Sequence, residues 1–252
     1  MQHHSQSRGR RDAERATATW AIRYLALPLA ILQLATIAAE ITASFAFRPQ
    51  YNWVKNTISE LGVGKCTSDF DPRKGVEACS PLADVMNGAM VFSGACLIAL
   101  TLILWRSRGF SRTPGVLWVL AGVGSIVTGF VTLDTSPVLH QVVSMPLFFG
   151  GPLAILIGAF QFDGTIRRVG ATLGAATLLL GVLFSTTDFV YGFGGIIERL
   201  VIWPALAWVV LLAATARKEA IAVSSQNAAA DSASGEDRSG GGSPDRRAGI
   251  AV

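Results

Sequence analysis

The sequence predicts an all-α membrane protein: a bundle of six transmembrane helices with both termini on the cytoplasmic side. Three observations lead there. Of the 252 residues, 51% are hydrophobic and only 15% are charged, whereas a soluble domain carries about 25% charged residues. The charges sit in short clusters between apolar runs, each near the roughly 20 residues that cross ~30 Å of hydrocarbon as a helix. Finally, Lys and Arg are distributed unevenly over alternate connections, as expected of a chain oriented by the positive-inside rule.

Residues 1–22 form a basic, polar N-tail carrying Arg8, Arg10, Arg11 and Arg15. The first apolar run, Tyr24 to Phe45, is longer than the ~7–15 residues of a signal-peptide core and reads as a retained span. Five more runs follow: Ala83–Leu104, Pro114–Leu133, Gln141–Phe162, Val169–Thr187 and Ile196–Ala216. Together they define a membrane domain over 23–216, with one long connection at 46–82. From 217 to 252 the chain turns to Ser, Ala, Gly and Asp without apolar periodicity, and composition predicts a disordered cytoplasmic tail.

With the N-terminus inside, fifteen Lys and Arg fall on the inner side and six on the outer: Arg48, Lys55, Lys65, Arg73, Lys74 and Arg199. The net charge of +4 is therefore a topology signal; no basic stripe or zinc-finger spacing points to nucleic acid. The orientation puts Cys66 and Cys79, thirteen residues apart, in the outer loop. In an oxidising compartment they are expected to form a disulfide, worth on the order of 3 kcal/mol in the chain-entropy model. Cys96 lies within the second span and reads as a packing residue.

Small residues mark the packing seams. Gly170, Gly174 and Gly181 share one helical face, as do Gly122, Ser125 and Gly129, and such faces let helix backbones approach closely. Pro28, Pro146, Pro152 and Pro204 are candidate kinks.

Ionisable residues near spans are costly and carry the functional information. Here they gather at the outer ends: Glu40 on the first span, Asp84 and Asn87 opening the second, Asp134 ending the third, His140 starting the fourth, Asp188 ending the fifth, and Glu198 with Arg199 opening the sixth. Ser59 and Glu60 lie in an amphipathic turn, Asn56 to Gly62, that caps the bundle. The candidate ligand-binding set is Ser59, Glu60, Asn87, Asp134, His140, Glu198 and Arg199. A binding or scaffold protein with an outward-facing polar pocket for a lipid headgroup or small polar ligand is one reading. A structural network in which Arg199 pairs with Asp134, Glu198 or Glu40 is the other.

Ser59-Glu60-Leu61-Gly62, Asn87 in the second span, Asp134 followed by His140, and the Glu198-Arg199 pair resemble, in their order, the six-span bacterial and archaeal membrane proteins of domain-of-unknown-function family nine-nine-eight. The resemblance covers about residues 24–216. The sequence departs from that pattern at Leu133, which precedes Asp134 where a Phe-Pro-type approach is expected, and in its cysteine pair. The resemblance implies a fold and a membrane location and supplies no activity.

Two further functions stay open. A membrane-embedded lipid hydrolase would use Asp134, His140 and Glu198 around a metal, or Ser59, His140 and Asp134 as a nucleophilic triad. His140 is the one His of the membrane region, fewer than a catalytic zinc site commonly uses, so no resident metal is expected. A small-solute or proton-coupled transporter would place acidic groups near mid-membrane, but here they cluster at one end. No nucleotide loop or redox motif is present, and no cofactor is expected. Membrane lipids are the expected partners.

Overall fold

The computed structural model describes residues 17–65, 79–106, 111–186 and 190–239. It contains six helices long and apolar enough to cross a membrane. They are α1 (Thr17–Ala46), α2 (Ala83–Arg106), α3 (Arg112–Phe130), α4 (Pro137–Ala159), α5 (Gly164–Thr186) and α6 (Val190–Ser239). Among the described residues there is no strand, only an isolated antiparallel bridge between Arg48 and Cys79. Large apolar side chains such as Phe45, Phe130 and Val138 stand exposed on the outside of the bundle, the pattern of a protein solvated by lipid.

The glycine seams work as the spacing predicts. A Cβ on Gly122 would meet the Gly94 carbonyl at 2.9 Å, and one on Gly129 would meet the Asn87 carbonyl at 2.7 Å. Between them, the Ser125 hydroxyl donates to the Met90 carbonyl at 2.8 Å. This face of α3 is therefore pressed backbone to backbone on α2. On α5, Gly174 meets the Leu156 backbone of α4, and Gly170 meets the Trp208 ring of α6.

The prolines leave a different mark. Wide π-turns run through Ile22–Ala26, just before Pro28, and through Pro146–Gly150, between Pro146 and Pro152. Proline cannot donate to the helical ladder, and a π-turn is one way the ladder is re-spaced around it. The second turn sets Leu147 and Phe148 against the polar end of the bundle.

The last helix does not stop where the apolar run ends; it continues to Ser239, into the segment whose composition predicts disorder. Between Gly195 and Gly235 the only helix breaker is Pro204, and Ala-rich sequence propagates a helix without an apolar face. The predicted Cys66–Cys79 bridge involves Cys66, which lies outside the described residues, as does Asp188. Cys96 is a buried free thiol.

Candidate functional site

The α1–α2 connection folds onto one end of the bundle because short-range polar groups organise it. Asn52 accepts from the backbone N–H groups of Val54 and Lys55 through its side-chain oxygen, at 3.0 and 3.2 Å. The carbonyls of Lys55 and Val54 then accept from the N–H groups of Gly195 and Ile196. Gly195 is required by this approach: a Cβ there would lie 2.2 Å from the Asn56 carbonyl oxygen. Next comes a reciprocal capping box. The Thr57 hydroxyl accepts from the Glu60 N–H at 3.2 Å, and the Glu60 carboxylate accepts from the Thr57 N–H at 2.7 Å. The 3₁₀ turn Ser59–Gly62 follows, and Asn87 on α2 donates to the Gly62 carbonyl at 3.0 Å.

The α3–α4 connection is pinned to the same loop. Asp134 accepts from the Thr132 hydroxyl at 2.5 Å and from the N–H groups of Gly64 and Lys65 at 3.2 and 3.1 Å. Partial burial raises its pKa, but these donors outweigh burial and hold the carboxyl below its usual range. Ser136 caps α4 ahead of Pro137 at the first helical position.

Two polar clusters result. The first surrounds Arg199. Its Nε donates to Glu40 Oε1 at 2.6 Å, Nη1 to the carbonyls of Trp53 and Asn56 at 2.8 and 3.1 Å, and Nη2 to the Tyr51 hydroxyl at 2.5 Å. Trp203 Nε1 donates to the other Glu40 oxygen at 3.0 Å. The guanidinium also lies over the rings of Trp53 and Tyr51, 4.6 and 5.4 Å from their centroids. Burial pushes the Tyr51 phenol well above its usual range, so it stays protonated. Of the three carboxylates open to Arg199 on sequence grounds, Glu40 takes it, and the pair is buried.

The second cluster surrounds the neighbouring residue. Glu198, 1% exposed, accepts from the Ile58 N–H and, at 3.0 Å, from the Ser59 hydroxyl. Ser59 Oγ lies 3.0 Å from His140 Nε2 as well, and His140 Nδ1 lies 2.6 Å from the Val131 carbonyl. A carbonyl only accepts, so Nδ1 carries a proton. Val131 is the C-cap that follows α3, where carbonyls lack helical partners, and His140 satisfies one of them.

A cavity opens beside this chain, lined by Ser59, Asn87, Thr128, His140, Glu198 and Phe148 among others. Its free volume is about 20 Å³, room for one water-sized group. Thr128 is only 5% exposed, and its hydroxyl has no hydrogen-bond partner among the described residues. Threonine in a helix commonly bonds back to the carbonyl four residues before it; here the hydroxyl makes no such bond and stands on the cavity wall.

A family model described as "Protein of unknown function (DUF998)" matches residues 29–215. The chain belongs to that family. The matched stretch contains both clusters and the cavity. No curated protein and no solved structure matches the chain. Its chemistry must therefore be read from its own residues, because DUF998 membership carries no activity.

The seven predicted site residues divide by role. Ser59, Asn87, His140 and Glu198 line the cavity, whereas Arg199 and Asp134 are spent on protein partners. Glu60 serves the capping box. Asp84, on the face shared with Asn87, is exposed. The residue that sequence reasoning missed is Thr128, hidden in the small-residue stripe of α3. The Thr57-x-x-Glu60 pattern was a legible signal for the capping box. Among the described residues, no three His, Cys, Asp or Glu side chains come together as a metal-binding group.

Proposed function

We propose that this DUF998 protein is a binding protein whose cavity takes one water-sized polar group, either from a lipid headgroup or from a small solute. The observation that carries this reading is the buried, unpartnered Thr128 hydroxyl on the cavity wall. An unpaired buried hydroxyl costs on the order of 1–3 kcal/mol, which a bound polar group returns. The same proposal includes both termini in the cytoplasm of a cell-membrane protein, on the fifteen-to-six count of basic residues. The cavity then opens toward the outer face, in the compartment where Cys66 and Cys79 are expected to bridge.

A hydrolase reading draws on the 3.0 Å contact between Ser59 and His140, with the Val131 carbonyl orienting the imidazole where a triad has an acid. Glu198 weakens it. The carboxylate competes with His140 for the one Ser59 proton, and it occupies the Ile58 N–H that an oxyanion would otherwise use.

The test uses the full chain in native-lipid nanodiscs. Native mass spectrometry and lipid analysis of wild type are compared with Thr128→Val, which removes the hydroxyl at nearly constant volume. One lipid class or solute enriched in wild type and lost in the variant is the expected result. Identical, bulk-like lipid in both samples would sink the reading. Labelling of Ser59 by a fluorophosphonate, lost in Ser59→Ala and His140→Ala, would replace it with the hydrolase.

A further inference from the structure

Counting hydrogens in the Glu198–Ser59–His140 chain identifies what the cavity prefers. His140 Nδ1 donates to the Val131 carbonyl, which leaves Nε2 facing Ser59. With a neutral imidazole and an ionised Glu198, the single Ser59 hydrogen would have two acceptors, Nε2 and Glu198 Oε1. Both contacts, each 3.0 Å, are satisfied together only if the chain holds one more proton. That proton sits either on Nε2, donating to Ser59 while Ser59 donates to Glu198, or on Glu198, donating to Ser59 while Ser59 donates to Nε2. Passing between these states requires only that hydrogens shift along two existing hydrogen bonds.

Removing the shared proton leaves one negative charge and one unsatisfied acceptor beside the cavity. Thr128 Oγ1 and Asn87 Oδ1 offer further acceptors on the same wall, and one of the two Asn87 amide hydrogens is committed to the Gly62 carbonyl. No Lys or Arg lines the cavity, and Arg199, the nearest cation in sequence, is held by Glu40 and three further acceptors. A phosphate or carboxylate would be a second buried anion without a counter-charge. The other charged groups around the chain are committed: Glu40 on α1 to Arg199, Asp134 on the α3–α4 connection to Gly64 and Lys65, and Glu60 on the 3₁₀ turn to Thr57 and Asn56.

We infer that the cavity binds a primary ammonium group in exchange for the proton shared by Glu198, Ser59 and His140. The inference rests on the binding reading above and names the ligand class. An ammonium is water-sized, carries three or more N–H donors, and replaces the departing charge one for one. It can arrive as a free small amine or as the end of an aminated lipid headgroup.

The full chain is placed in phosphatidylcholine nanodiscs, whose quaternary ammonium has no N–H, and titrated calorimetrically with methylammonium chloride in two buffers of different ionisation enthalpy. Binding with release of close to one proton is expected, with affinity rising about tenfold per pH unit while the site still holds its proton. Glu198→Gln is expected to abolish binding. Thr128→Val, which keeps the proton chain, is expected to weaken it about tenfold or more without changing the proton count. If free amine fails to bind but phosphatidylethanolamine doped into the discs is retained by wild type and lost from Glu198→Gln, the source is the lipid and the inference stands. Binding of inorganic phosphate or methanol in place of the amine would overturn the ammonium assignment and leave the pocket. No retained lipid and no binding of any of these probes would overturn both.

Discussion

Glu198 and Arg199 are adjacent in sequence, yet each belongs to a different kind of site. One step along a helix turns a side chain by about 100°. Arg199 swings into a cluster where the cation, Glu40, Tyr51 and Trp203 all have partners. Glu198 swings into a chain with Ser59 and His140 that shares one proton, beside a hydroxyl with no partner among the described residues. A fully satisfied buried network fixes geometry, whereas an unsatisfied one is open to a ligand. The first cluster is thus the lock that seats the α1–α2 connection on the bundle, and the second is the proposed site beside it.

Breaking the lock is expected to have the largest effect. Arg199→Ala strands Glu40 as a buried carboxylate, and loss of one partner of such a pair costs about 3–5 kcal/mol. Thermal unfolding in nanodiscs reads the loss. Arg199→Lys should recover little of it, since an ammonium cannot reach Glu40, Tyr51 and two carbonyls together. Full stability in both variants would mean the cluster is not a lock.

Gly195→Ala comes next. Its Cβ would collide with two backbone carbonyls, of Asn56 and Trp53, neither at the end of a flexible side chain. Overpacking of this kind costs about 1–3 kcal/mol and should lift the connection off α6. Hydrogen exchange at the Lys55 to Ser59 amides would report it, and unchanged exchange would separate the connection from the lock.

Thr128→Val sharpens the comparison in the opposite direction. In ligand-free discs, removing an unpartnered hydroxyl should leave unfolding within about 0.5 kcal/mol of wild type, or raise stability, while ligand retention in native lipid falls. A large loss of stability would show that Thr128 already has a protein partner.

The smallest effect concerns Asp134. Its folded pKa is depressed, so its contribution is present above the unfolded value near 4 and is lost as pH falls through the folded one. Asp134→Asn should therefore unfold slightly more easily than wild type at pH 7, with the gap closing below about pH 4. A gap that persisted into acid would assign the effect to packing rather than charge.

The bundle was legible because lipid imposes long apolar runs, and each predicted run falls within or nearly within a helix. The glycine stripe of α3 also announced its seam, since Gly122 and Gly129 both press on α2. The helical continuation to Ser239 was not legible, because composition reports the absence of a core and not the absence of a helix. At the site, the polar residues gathered at one end as their places on the spans require. Their division into lock and pocket was hidden, because it depends on rotation about helix axes and on which carbonyls a folded loop presents. Thr128 illustrates this: in sequence it is one more small residue, and only its unpartnered hydroxyl on the cavity wall singles it out.

The most direct measurement is an experimentally determined map of the wild-type cavity, compared with Thr128→Val. The expected result is density for one bound group within about 3 Å of the Thr128 hydroxyl and beside Glu198, absent from the variant. An empty cavity in both, with the Thr128 hydroxyl turned back onto the Gly124 carbonyl, would contradict the account.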